Sequence, residues 1–536
     1  MNASSTTTVS TARQERSFVP LQAQFRSFST LLDDEWVCSH IEQLLVMLQL
    51  PTGWHVEQCG ILFILTSANQ RINVCIQRGS LQSQSVLSYI CPPLVSTDIL
   101  LFGELYPDDL HATWLFQQLE ASISELSTLF VLQEVEAILD SMPLMGEFAA
   151  RETTQPLAQF ALIWRDHFLE ENVALLQAFE QAGIEPHWIY TLSKGDRTSK
   201  WQRIGAHFRS RGYQTDLFAH QDFDGEASEQ AAVSNMLDRL EQFIVDARAA
   251  GKRIMLIDDG GLLMLRLGQK QHLIDLALEL TIAGIRRLEL LNSVDIPVYD
   301  VARSEFKISI TYPEIGESCV KRIRELLAAE KFSGRSILIV GYGAAGASIA
   351  QIFRTLGGVV SVVDTNVMRL IEAAEKGFRT FRSVEAAIER VQPFLVVGCT
   401  GNVSFSQEDI ERLPHNAYIT AVATKDLTIL NTIKENYHVA PIPHLGYQYT
   451  DAHGKRFTQL GDGRSVNLFE SEAIPNRAND VFKTGIFVAA LHLAQNYSQL
   501  APGVHWEAVD AAIMQSGLLE RYYDVYLHDR VVPAFE

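Results

Sequence analysis

The chain has 536 residues, 47% hydrophobic and 20% charged, with 64 acidic against 44 basic side chains and a formal charge of −20. That length corresponds to about three domains with ample apolar material for cores, which excludes a mostly disordered chain. The acidic balance argues against a nucleic-acid backbone or an anionic membrane as the main partner.

Residues 1–20 are rich in Ser and Thr and read as a disordered tail. A transit peptide is the other reading, and no apolar stretch of a secretory signal is visible. Residues 1–141 carry five Arg, no Lys and fifteen Asp or Glu, a charge of −10, which is half the total and marks a separate N-terminal unit. Within it, the apolar spacing predicts a helix over 21–50, then short strands over His55–Leu65, Arg71–Gln77, Ser85–Cys91 and Asp98–Leu105. A long helix is expected over His111–Ser141. This is a small α+β domain over 21–141 with antiparallel strands and no motif that suggests chemistry. Docking of another protein or a purely structural appendage would equally suit it.

From Met142 strands alternate with helices. Strands are expected at Pro186–Leu192, Arg253–Ile257, Val294–Asp300 and Ser336–Val340, and helices at 200–212, 270–284 and 317–329. The alternation predicts an α/β chain with two doubly wound, Rossmann-like parallel-sheet domains. The first, over 142–320, is of substrate type. The second, over 321–495, binds a dinucleotide, and a helical tail follows over 496–536. The six cysteines form no CxxC pair and no zinc spacing with His, so free thiols and no metal site are expected. The longest apolar run, Gly60–Leu65, is far below the ~20 residues of a membrane span, and a cytoplasmic protein is expected.

The clearest motif is Gly341-Tyr-Gly343-Ala344-Ala345-Gly346. A strand precedes it, a helix follows it, and a second strand ends at Asp364. Gly341 serves the tight turn, Gly343 the approach of a pyrophosphate to the helix N-terminus, and Gly346 the close packing of helix on strand. Asp364 would accept the adenosine ribose hydroxyls and repel a 2′-phosphate, which favours NAD. Arg369, which could soften that preference, reads as a solvated surface residue. The strand at Phe394–Val397 leads into Cys399-Thr400-Gly401-Asn402, small residues that suit the nicotinamide ribose. Cys399 reads as a packed thiol.

Several further segments resemble S-adenosylhomocysteine hydrolase (adenosylhomocysteinase) in collinear order over roughly residues 142–495. They are Met142-Pro-Leu-Met145, His167 to Gln177, Leu192 to Asp196, Ile257-Asp258-Asp259-Gly260-Gly261, the two cofactor loops, and Gly463-Arg464-Ser-Val-Asn467-Leu468. The resemblance implies tightly held NAD that oxidises a substrate ribose hydroxyl, so that a neighbouring C–H becomes acidic and homocysteine can leave. It also implies a homo-oligomer, a dimer or tetramer. It places His167 and Glu171 on a substrate-binding helix, Asp258 and Asp259 on the substrate side, and Asn467 near the nicotinamide.

The departures from the family pattern fall on the chemistry. The family's Lys-x-x-x-Asp-Asn linker matches Arg303-Ser-Glu-Phe306-Lys307-Ile308, which puts Lys307 at the acid; other registers also lose the acid. Thr424 and Ile474 stand where the family has histidines, and Leu169 where it has a helix-borne threonine. Each lost acid or base typically costs about 10²–10⁴ in rate. Asp259 and Lys307 are the catalytic candidates. Three functions follow: an NAD-binding relative that oxidises a hydroxyl of a nucleoside-like ligand without the usual hydrolysis, a non-catalytic NAD- or nucleoside-binding regulator, or an active hydrolase with substituted residues.

Overall fold

The computed structural model describes residues 22–30, 34–48, 50–78, 97–196, 198–219, 227–423, 425–471, 474 and 476–528. The expected tail at 1–20, the strand at Ser85–Cys91 and Thr424 lie outside them. Two compact units are present, Met1–Val131 and Leu132–Glu536.

The first unit holds five antiparallel strands, β1 (Gln22–Thr30), β2 (His55–Cys59), β3 (Leu62–Ser67), β4 (Gln70–Arg78) and β5 (Thr97–Leu105), in the order β1-β5-β4-β3-β2. Alternation puts Phe63 and Leu65, Ile72 and Val74, and Ile99 and Leu101 on one face. That face is covered by Val37, Ile41, Leu115, Phe116 and Leu119 from the helices Asp34–Met47 and Leu110–Thr128. The expected helix over 21–50 is corrected. Its first part is β1, paired from Gln22 with Leu105 to Thr30 with Thr97. The apolar stripe begins only at Leu31, so nothing upstream resisted strand pairing. The long helix expected over His111–Ser141 ends at Thr128, and a separate helix spans Leu132–Asp140.

The second unit contains two parallel sheets. One has β6 (Phe160–Asp166), β7 (Ile189–Ser193), β8 (Gln214–Leu217), β9 (Arg253–Asp258), β10 (Leu276–Glu279) and β11 (Pro297–Asp300). The other has β12 (Ser336–Val340), β13 (Val359–Val363), β14 (Arg379–Phe381), β15 (Leu395–Gly398), β16 (Ala417–Ala421), β17 (His438–Ile442), β18 (Gly446–Thr450) and β19 (Arg456–Leu460). A last strand, β20 (Gly503–His505), returns from the C-terminal segment to extend the first sheet beside β11.

The orders are β8-β7-β6-β9-β10-β11-β20 and β14-β13-β12-β15-β16-β19-β18-β17. Each contains the doubly wound order 3-2-1-4-5-6. The strand order reverses between β6 and β9 in one sheet and between β12 and β15 in the other, each pair being parallel. Ligands lie in the crevice outside the strand ends at such points. β6 is buried along its whole length, as a central parallel strand covered on both faces must be. The outer hairpin β17–β18 is antiparallel, an edge the alternation of strands and helices did not reveal.

Residues 270–284 are not one helix. A 3₁₀ turn at Gly268–Leu273 leads into β10, and a short helix follows at Ile282–Leu288. The run Leu276-Ala-Leu278 is fully interior, and so short an apolar run reads equally as strand or helix.

Candidate active site at the two reversal points

The loop after β6 and the loop after β9 are built on Arg165, a fully buried side chain. Its Nη1 donates to the Asp259 carbonyl at 2.7 Å and to Asp258 Oδ1 at 3.3 Å, and its Nε to the Phe218 carbonyl at 3.1 Å. Asp258 Oδ2 accepts the Leu263 and Met264 amides at 2.8 and 3.3 Å. Asp258, expected to bind substrate, is thus committed to holding the turn and the start of the next helix. Glu279 accepts the Gly260 amide at 3.0 Å and the Thr281 amide at 2.7 Å. Burial, with Asp258 and Asp259 nearby, raises its carboxyl well above the usual range.

Asp259 turns into the site. Its Oδ1 accepts from Lys194 Nζ. Lys194 Nζ also lies 3.1 Å from His167 Nε2, and His167 Nδ1 lies 2.5 Å from Asp196 Oδ2. Arg464 Nη1 reaches Asp196 Oδ1 at 3.4 Å. The result is an unbroken chain Asp196–His167–Lys194–Asp259. With Lys194 donating to Nε2, His167 carries its proton on Nδ1 toward Asp196. Burial pushes both carboxyls upward, but His167, Lys194 and Arg464 hold Asp196, and Lys194, His167 and Lys307 hold Asp259, well below the usual range.

A second ion pair backs this chain. Lys483, on the helix Asn476–Asn496, donates to Asp166 Oδ2 at 2.7 Å, and Asp166 Oδ1 accepts the His167 amide at 2.7 Å. Asp166, His167 and Asp259 have the spacing of a metal triad. Their ligand atoms already pair with Lys483, Asp196 and Lys194, so a cation would have to displace two lysines.

His167 is not on a helix, as expected, but in the loop after β6; the helix begins at Glu171. Glu171 is buried, accepts from Asn479 Nδ2 at 2.9 Å through Oε1, and leaves Oε2 without a hydrogen bond. Burial raises its carboxyl. Leu169, close to Glu171 in sequence, forms one apolar cluster with Leu468 and Ile474. Two positions at which a polar family residue is missing therefore meet in space.

Lys307 begins a π-helical turn, Lys307–Thr311, that runs into the helix Tyr312–Leu326. The side chain is buried and donates to the Leu280 carbonyl at the end of β10. Its Nζ lies 4.8 Å from the Phe482 ring centre and 5.6 Å from that of Tyr312. Among the described residues no carboxylate lies within ion-pair distance of it. Burial lowers its pKa, with Lys483 adding and Asp259, Glu279 and Asp166 opposing.

The glycine loop follows β12. Gly341 has φ of +100°, and a Cβ there would lie 2.9 Å from the Thr400 methyl and 3.0 Å from the Cys399 carbonyl. A Cβ on Gly346 would lie 2.0 Å from the Gly341 oxygen. No side chain caps the helix Ala344–Thr355, so the amides of Ala344, Ala345 and Gly346 remain for an anion. Asp364 accepts the Tyr342 amide at 2.7 Å and the Asn366 amide at 2.8 Å, fixed beside the loop. Arg369 is not simply solvated: its Nη1 donates to the Tyr342 carbonyl at 2.8 Å.

After β15, Asp426, fully buried and missed in the sequence, organises the other wall. It accepts the Thr400 amide at 2.9 Å, Thr400 Oγ1 at 2.8 Å and the Gly401 amide at 3.4 Å. Arg286 donates to the Thr400 carbonyl at 3.3 Å, and the Asn402 amide turns its oxygen toward the same Arg286 at 2.8 Å. Asn467 is buried and accepts from Ser465 Oγ at 2.6 Å. A cradle of main-chain amides with a fixed acid beside it fits a dinucleotide.

Residues 315–473 match the family described as S-adenosyl-L-homocysteine hydrolase, NAD binding domain. The chain is thus similar to adenosylhomocysteinases, and divergent from them. NAD is its cofactor. An adenosylhomocysteinase of Thermotoga maritima is 24% identical over 379 residues, 68% of this chain and 87% of that protein. One of Gloeothece citriformis is 30% identical over 178 residues, 32% of this chain and 40% of its own length. One of Pyrococcus abyssi is 30% identical over 190 residues, 35% of this chain and 43% of its own length. The strongest similarity is thus confined to under half of those two relatives. Among solved structures, one chain of dipicolinate synthase from Bacillus halodurans is 10% identical with a TM-score of 0.37, covering 63% of this chain and 99% of that one.

Lys194, Lys483, Asp166 and Asp426 went unseen in the sequence. Lys194 and Asp426 had local signals, since Leu192 to Asp196 resembles a family loop and Asp426 closes the segment in which Thr424 stands for a family histidine.

Proposed function

We propose that this chain oxidises a hydroxyl of a nucleoside-like ligand with NAD and does not hydrolyse S-adenosylhomocysteine. The observation that carries the reading is Lys307. In the Phe306 register a buried lysine occupies the position of the family's linker acid, and among the described residues no carboxylate lies within ion-pair distance of it. The carboxylate on which that family's hydrolysis relies is then absent there, whereas hydride transfer relies mainly on the cofactor.

NAD, which the loops at Gly341–Gly346 and Thr400–Asn402 would hold, would supply a hydride acceptor for the carbon that bears the hydroxyl. The chain's own groups then account for the proton. Lys194 gives a proton to His167 Nε2, Asp196 stabilises the imidazolium that forms, and the freed Lys194 amine takes the hydroxyl proton. Asp259 and Lys483–Asp166 hold Lys194 and the His167 loop in place. Glu171, with one unpartnered oxygen, orients the ligand, and Leu169, Leu468 and Ile474 give it an apolar wall.

The reading includes self-association and a cytoplasmic site of action, both carried by the family resemblance. No helix of the described residues is long and apolar enough to cross a membrane. It is tested by denaturing the purified protein and weighing the released nucleotide, then mixing NAD-loaded protein with adenosine and following NADH fluorescence. NAD release and a fluorescence rise are expected; no retained or bindable NAD at millimolar concentration ends the reading.

A further inference from the structure

Lys307 differs from every other buried ammonium of the site. Lys194 is paired with Asp259, and Lys483 with Asp166. Lys307 has one backbone carbonyl, that of Leu280, and two aromatic faces. It stands at the first position of a π-helical turn, where the extra residue per turn displaces a side chain from the regular helix face. The turn is packed on the same helix that carries Phe482 and Lys483. A lysine amine that is desolvated, held by one carbonyl and two aromatic faces and, among the described residues, outside ion-pair distance of any carboxylate is arranged as a nucleophile rather than as an ion-pair partner.

We propose that Lys307 captures a carbonyl compound, an aldehyde or ketone, as an imine. The Nζ lone pair attacks the carbonyl carbon and a C–N bond forms. The carbonyl oxygen departs as water with the two protons of the amine, leaving a neutral C=N bond. No oxidant or reductant is consumed, so the step stands independently of hydroxyl oxidation. Burial and Lys483 both favour the neutral amine that the attack needs, against the pull of Asp259, Glu279 and Asp166. Leu280 O aligns the amine, and the Phe482 face excludes bulk water that would return the imine to its components.

The probe is glyoxylate with cyanoborohydride at neutral pH, applied to the full-length protein and read by peptide mass spectrometry. The carboxymethyl adduct is expected on Lys307 at least about tenfold faster than on the exposed Lys270 and Lys376, because neutral amine rather than exposure sets the rate. Lys307→Arg has no primary amine and cannot form the imine, and its labelling is expected only at exposed lysines. Labelling of Lys270 and Lys376 in the folded wild-type protein with Lys307 unmodified overturns the proposal. So does equal labelling of Lys307, Lys194 and Lys483, which would mean general access without special reactivity. NADH formation is not read in either case, so the result is separable from that of the oxidation experiment.

Discussion

Leu169 and Ile474 pack into one cluster with Leu468, although 305 positions of chain separate them. Each stands where the resembling family has a polar residue. Two independent losses would be scattered; here they share a surface, which is how a change of ligand edge from polar to apolar would look. The pair predicts coupling. Leu169→Thr with Ile474→His is expected to tighten adenosine binding by more than the two single changes together, by about 1 kcal/mol as for contacting residues. Calorimetric titration of the four proteins measures it. Strict additivity means the two positions do not act on one ligand.

Lys194 and Asp259 are buried together. Lys194→Met leaves the acid without its partner, and a loss of about 3–5 kcal/mol in unfolding free energy is expected. Lys194→Met with Asp259→Leu removes both charges and is expected to recover most of that loss. Urea unfolding of the three proteins decides it, since a pair that contributes only separately would show no recovery.

Gly341→Ala is expected to abolish NAD retention, because its Cβ would press on Thr400 and Cys399 at a φ of +100°. Asp364→Ser removes the ribose acceptor while Arg369 remains at the Tyr342 carbonyl. Weaker NAD binding and measurable NADP binding are expected for it by fluorescence titration.

His207 is held down to about 4, by burial and by Arg211. A histidine whose folded pKa lies below its unfolded value near 6.5 contributes stability above that value and loses it as the pH falls toward 4. The loss amounts to roughly 3 kcal/mol between pH 6.5 and 4. Asp196 and Asp259, with lowered values, lose their contribution only in still stronger acid, below the ordinary carboxylate value. His207→Phe is expected to flatten the stability profile between pH 6.5 and 4 and leave the more acidic limb unchanged. Denaturant titrations across that range provide the check.

The glycine loop was legible because a turn, an anion and a ribose constrain residues that lie together in sequence: Gly341, Gly343, Gly346 and Asp364. β10 was not, since Leu276-Ala-Leu278 carries no period long enough to separate strand from helix. β1 was missed because its partner, β5, lies some seventy positions away. The same distance effect hid the site's charges. Lys483 meets Asp166 across 317 positions, and Arg464 meets Asp196 across 268. The resemblance put both Asp258 and Asp259 at the substrate; the place of Arg165 between the loops separates the scaffold acid from the one that faces Lys194.

The most direct test mixes the NAD-loaded protein with S-adenosylhomocysteine and adenosine in turn, quenches, and reads NADH and free homocysteine in one mass spectrum. The account predicts NADH from at least one of the two, with no homocysteine above the unreacted control. Homocysteine accumulating beyond one equivalent per chain would show that hydrolysis persists despite Lys307 and contradict it.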